Sequence, residues 1–129
     1  MPPSELGSHA PLASAYLRFL RLAHAVQQLQ GDLAMDANES ALLEVIVLRW
    51  SAGQPMTVRE AIGTGRLGSP ATLHKRITRL RQKDMLTASS ACGDRRAKRL
   101  VPTARAVEYF AQLGQHMAQA QLPQTAHCV

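Results

Sequence analysis

Cysteine is scarce in this 129-residue chain: Cys92 and Cys128 are too few for a disulfide scaffold, and both read as free thiols. No apolar run approaches the roughly 18 residues that a membrane span needs. The start, Met1-Pro2-Pro3-Ser4-Glu5, has neither a basic n-region nor an apolar h-region. No signal peptide is therefore expected, and a cytoplasmic location follows by default. The histidines His9, His24, His74, His116 and His127 lack metal-ligand spacing, so no metal and no cofactor is expected. Gly63-Thr64-Gly65 has no following Lys-Ser/Thr, which rules out a phosphate loop. No carboxylate pair and no Ser-His-Asp order stands out, so the chain is not expected to be an enzyme.

What the chain does have is segregated charge. The net charge is +6. Ten of the 15 basic residues and only two of the nine acids fall between Arg66 and Arg99, a net +8, which leaves −2 for everything else. Solubility alone does not require such a division, and a basic segment of this kind points to a polyanionic partner.

Apolar residues at Leu12, Tyr16, Phe19, Leu20, Ala23, Val26 and Leu29 predict a first helix ended by Gly31-Asp32. Leu17 and Leu22 lie off that stripe, so a second apolar face needs covering, and a partner chain would do so. Asp36-Ala37-Asn38-Glu39 has the form of a capping box. The helix after it carries Leu42, Leu43, Val45, Ile46 and Trp50 as core and breaks at Gly53-Gln54-Pro55. A short third helix is expected from Val58 to about Thr64, then a turn at Arg66-Leu67-Gly68. Ser69 caps a fourth helix with Pro70 at its first position, running to about Lys83. Leu73, Ile77 and Leu80 form its buried stripe, with Arg76 flanking it and reaching to solvent. Extended stretches over Met85–Ala91 and Ala97–Val101 surround Gly93-Asp94, which predicts a β-hairpin with a basic tip. Thr103 caps a fifth helix with the stripe Val107, Phe110, Ala111, Gly114, Met117 and Ala118, closed by Pro123.

This order is that of a winged helix-turn-helix, mainly α (α+β), with about five helices and a two-stranded hairpin wing. Two helices joined by a tight glycine turn can set the second into a DNA major groove. Over residues 69–83 the outward set comprises Ser69, Ala71, Thr72, His74, Lys75, Thr78, Arg79 and Gln82. Lys and Arg can donate to guanine, Gln can pair with adenine, and Thr can serve a base edge or a phosphate. The wing, residues 91–97, adds Arg95 and Arg96, followed by Lys98 and Arg99, suited to phosphates or an adjacent minor groove. A single recognition helix reads few base pairs, so a two-fold homodimer on a pseudo-palindromic operator is expected. Residues 10–30 and 104–121 would supply its interface, the latter through Ala111, Gly114 and Ala118. Residues 38–102 would be the DNA-binding core, and 122–129 a loose tail of one domain spanning 1–129. The alternative is a winged-helix module that docks on protein or binds nucleic acid without sequence preference.

Asp94-Arg95-Arg96-Ala97 followed by Leu100-Val101-Pro102-Thr103 resembles the wing signature of the MarR family of transcriptional regulators. Thr57 to Ala61, Ser69 to Leu80 and Lys83-Asp84-Met85-Leu86 are similar to its third helix, its recognition helix and its link into the wing. The resemblance implies a homodimeric regulator of double-stranded DNA, not a membrane protein, with a small aromatic acid or phenol as effector. Tyr16, Trp50, Tyr109 and Phe110 could line such a pocket or serve as core. Three departures stand out: a shorter turn before the recognition helix, Thr78 where an Asp often pairs with a wing arginine, and one C-terminal helix where many relatives have two. Cys92 beside Arg95 and Arg96 could sense oxidants, although an inert surface thiol is the simpler reading.

Overall fold

Side-chain caps fix most of the helix starts in the computed structural model, which describes residues 9–90 and 98–121. The elements are α1 Ala10–Asp32, α2 Ala37–Ser51, α3 Val58–Ile62, α4 Pro70–Gln82, β1 Leu86–Ser89, β2 Arg99–Pro102 and α5 Ala104–Gln121. The Glu39 amide donates to Asp36 Oδ1 at 2.7 Å and the Asp36 amide to Glu39 Oε1 at 3.4 Å, completing the capping box of α2. Thr57 and Glu60 form a second box at α3, with bonds of 3.1 and 3.2 Å. Ser69 Oγ accepts from the Thr72 amide at 3.3 Å, and Thr103 Oγ1 from the Ala106 amide at 3.1 Å. Each cap satisfies an amide that the first turn would otherwise leave without an intrahelical partner.

The core lies where α2, α4 and the hairpin meet. Leu42, Leu43 and Ile46 of α2 and Leu73, Ile77 and Leu80 of α4 are buried with Met85, Leu86 and Leu100. Ala106 and Tyr109 bring α5 onto this layer, and α1 packs along α5 without burying any residue fully. β1 and β2 pair antiparallel in the register Leu86↔Pro102, Thr87↔Val101, Ala88↔Leu100 and Ser89↔Arg99. The Leu100 amide also donates to the Met56 carbonyl at 2.7 Å, so β2 is tied to the segment that opens α3.

Several boundaries and faces differ from expectation. α1 ends at Asp32 as expected, but α3 stops at Ile62 and both strands are shorter than the extended stretches in the sequence. Trp50 stands on the last turn of α2, beyond the core layer, and is 40% exposed. In α5 the buried side chains are Ala106 and Tyr109, whereas Val107 and Met117 of the expected stripe are about half exposed (49% and 51%). Of the expected stripe only Phe110 packs against the chain's own core, and Val107, Ala111, Gly114, Met117 and Ala118 are exposed. Wing residues 91–97, with Cys92, Arg95 and Arg96, and the tail 122–129 lie outside the described residues.

Candidate nucleic-acid interface

Glycine geometry places α4. Gly65 has φ +71° and Gly68 φ +145°, conformations an L side chain rarely adopts. A Cβ at Gly68 would lie in van der Waals contact with Thr72 Cγ2 and Arg76 Nη1 at 3.4 Å, so its positive φ is what demands glycine. Arg76 donates from Nη1 to the Leu67 carbonyl at 2.6 Å, so it locks the turn onto the helix rather than reaching to solvent. The helix therefore leaves the turn at a fixed angle, with Leu73, Ile77 and Leu80 inward.

Its outward face carries the expected residues. Ser69, Ala71, His74, Lys75, Thr78, Arg79 and Gln82 are exposed, and Thr72 is half-buried. Some of their polar atoms are already engaged. Ser69 Oγ donates to Thr72 Oγ1 at 2.9 Å, and Thr78 Oγ1 donates back to the His74 carbonyl at 3.0 Å. Lys75, Arg79 and Gln82 are exposed and make no side-chain hydrogen bond or ion pair among the described residues. Arg81, not singled out from sequence, is exposed as well. With Thr78, Gln82, Asp84, Leu86 and Thr87 it lines an open depression of about 390 Å³ between α4 and β1. Its signal was present, a basic residue in the last turn of a basic helix, but it sits off the centre of the base-facing set.

Three cations of the basic segment are held by the fold instead. Arg76 is the first. Lys83 Nζ donates to Glu39 Oε2 at 2.7 Å and to the Ala34 carbonyl. Arg99, expected with the hairpin's DNA-facing cations, donates to the Pro55 carbonyl at 3.1 Å and to Glu60 Oε1 at 3.2 Å. The Thr57 amide and hydroxyl, and then Arg99, hold the Glu60 carboxyl below its ordinary range, so it stays charged toward Arg99. Lys98 is exposed where the wing returns to the body.

Of Tyr16, Trp50, Tyr109 and Phe110, only Tyr109 and Phe110 are in ring contact with each other among the described residues. Tyr16 packs on Phe19 with ring centroids 5.9 Å apart, and Tyr109 meets Phe110 edge-on at 5.2 Å. Burial raises the Tyr109 hydroxyl above its ordinary pKa, as befits a core tyrosine. Among the described residues no three His, Cys, Asp or Glu side chains gather as a metal site would need, and no helix is long and apolar enough to cross a membrane.

No protein-family model matches the chain, and no curated protein does. Solved structures do resemble it. A mutant of S. aureus MepR bound to an oligodeoxyribonucleotide superposes with a TM-score of 0.57 at 16% identity, over 84% of this chain and 81% of that one. RV1404 from Mycobacterium tuberculosis gives 0.56 at 16% identity, over 100% and 88% of the two chains. The organohalide-sensing transcriptional regulator RdhR-CbdbA1625, in its ligand-free form, gives 0.51 at 12% identity, over 87% of this chain and 64% of that one. At such identities the likeness is one of fold, a winged helix of five helices and a two-stranded antiparallel hairpin.

Proposed function

We propose that the protein is a homodimeric, sequence-specific DNA-binding transcriptional regulator, with α4 as the helix that reads bases. The observation that carries this reading is the division of α4. Leu73, Ile77 and Leu80 are buried, while the opposite face offers Lys75, Arg79 and Gln82 with uncommitted donors and no large apolar side chain. A helix that docked on protein would present apolar anchors there. MepR carries DNA on the same fold, which supports the reading.

Assembly follows from two exposed apolar faces. α1 presents Leu12, Tyr16 and Phe19 at 73%, 59% and 55% exposure, and α5 presents Val107 beside Ala111, Gly114 and Ala118. Nothing lies within 4 Å of where a Gly114 Cβ would be, so another helix can approach that stripe closely. These faces pair two copies, and two copies of α4 then sit about one DNA turn apart, roughly 34–36 Å, on a pseudo-palindromic site. The regulator reads the major groove through Lys75, Arg79 and Gln82. His74, Thr78 and the Ser69–Ala71–Thr72 turn lie at the groove edge, and Lys98, Arg95 and Arg96 serve the flanking backbone. A small aromatic effector remains part of the reading only by family resemblance.

The test is to sequence genomic fragments retained by the purified chain and to weigh the protein by light scattering. Enrichment of a palindromic motif by a dimer is expected. Uniform retention of fragments would leave the non-specific module instead, and a monomeric mass with and without DNA would remove the dimer.

A further inference from the structure

Among the described residues, away from the proposed DNA-facing surface, a cavity is lined by cations with no carboxylate. It lies between α1 and α5, about 150 Å³ in volume, lined by Arg18, Arg21, Leu22, His116, Gln119 and Ala120. Two arginines, a histidine and a glutamine line it together, and no carboxylate is among the lining residues. This is unexpected by composition, because the chain outside the basic segment is net acidic. Arg18 is oriented by a bond from Nη1 to Ser14 Oγ at 3.2 Å, which leaves the rest of its fork unused. At 3.6 residues per turn, Arg18 and Arg21 lie on the flank of α1 away from Leu12, Tyr16 and Phe19. His116 and Gln119 lie on the flank of α5 away from Val107, Ala111, Gly114 and Ala118. The cleft thus opens opposite the apolar face and stays accessible when that face is covered. It is also about two turns or more along α1 from Gln30 and Leu33, where α1 meets the core.

We propose that this cleft binds a compact oxyanion, a phosphate or carboxylate group, gripped by Arg18 and Arg21 of α1 and by His116 of α5. Planar guanidinium forks match both groups, and Leu22 and Ala120 give the bound group an apolar wall. Occupancy joins the first half of α1 to the last half of α5. That is the stretch of the pair farthest from the core, where α1 has no buried side chain to hold it. The site stands whether or not α4 reads DNA.

The full chain is titrated with sodium phosphate, and separately with sodium isobutyrate, at ionic strength held constant with chloride, followed by thermal shift and by NMR of the His116 ring. A saturable rise in Tm with movement of the His116 signals is expected. Saturation by phosphate alone, by isobutyrate alone or by both identifies the group accepted. Arg21→Gln and His116→Gln, from opposite walls, should each weaken binding about tenfold, whereas Arg21→Lys keeps the charge and should lose less. Lys75→Gln/Arg79→Gln on α4 should leave it unchanged. Absence of saturable binding overturns the site, as does binding that survives both wall variants or is lost only in the α4 double variant.

Discussion

Lys83 closes α4 and joins it to two other helices, so its removal should weaken the whole fold. Its Nζ meets Glu39 Oε2 at 2.7 Å and the Ala34 carbonyl, and its own carbonyl accepts from Arg105 Nη1 at 2.9 Å. The Glu39 side chain is only 3% exposed and that of Lys83 27%. An exposed pair contributes about 0–1 kcal/mol, whereas stripping the partner from a buried carboxylate costs roughly 3–5 kcal/mol. Water reaches the lysine end, so Lys83→Met should cost about 2 kcal/mol. At roughly 3–4 °C per kcal/mol for a chain of this size, Tm should fall by about 6–8 °C. Glu39→Gln keeps an acceptor for the capping box and leaves Lys83 partly in water, so about 1 kcal/mol is expected. The double variant should lose less than the sum, because the carboxylate that suffers is gone. The assay is urea denaturation followed by circular dichroism at one fixed protein concentration, since association raises apparent stability. A Lys83→Met variant within about 0.5 kcal/mol of wild type would refute the reasoning and reduce the contact to a surface pair.

Arg79→Ala should cost about 1–3 kcal/mol of discrimination between the selected site and random DNA, measured by competition titration, and equal loss on both would make Arg79 a phosphate contact. Lys98→Ala should lower the slope of log affinity against log salt by about one unit, whereas Arg99→Ala, whose cation is held by Pro55 and Glu60, should leave the slope unchanged. The Asp36 carboxyl titrates below its ordinary value because the Glu39 amide donates to it. Its stabilisation is therefore complete above about pH 4 and is lost as pH falls through the lowered folded value, so Asp36→Asn should flatten the acid limb of a stability–pH curve. Phe19→Glu, placed on an exposed apolar face, should convert a dimer to monomer in sedimentation without changing helix content; a dimer that persists would move the interface elsewhere.

Much of the fold was legible because its signals are local. Asp36-x-x-Glu39, Ser69-Pro70 and Thr103 mark helix starts through bonds made within three residues, and the structure shows each bond. The stripe Leu73–Ile77–Leu80 was legible for the same reason: α4 has one apolar face, so its phase admits one orientation. α5 has two. Ala106, Tyr109 and Leu113 share one face, and Val107, Ala111, Gly114 and Ala118 share another. Periodicity finds both stripes but does not say which meets the chain's own core. Packing of α5 along α1 and onto β2, with Tyr109 buried, decided that, and packing is a tertiary fact. Trp50 was misread on similar grounds, since its phase suits the core of α2 but its turn extends past the layer that α4 and β2 cover.

The candidate interface was legible as a basic region, whereas the availability of each of its cations was not. Charge counting found the basic segment between Arg66 and Arg99, yet a count treats every cation as available. The fold draws three of them inward, each for a carbonyl or carboxylate far away in sequence. Arg76 closes the glycine turn nine residues back, Lys83 spans 44 residues to Glu39, and Arg99 spans 44 to the Pro55 carbonyl. No spacing rule anticipates such partners, because they depend on where other elements end. The three inward cations hold the turn before α4, the foot of α4 and β2. Lys75, Arg79 and Arg81 are then left on a helix whose position is already set. Orientation and attraction are thus divided between two sets of cations, and substitutions in the two sets should separate accordingly, stability changing with one and the salt dependence of DNA binding with the other.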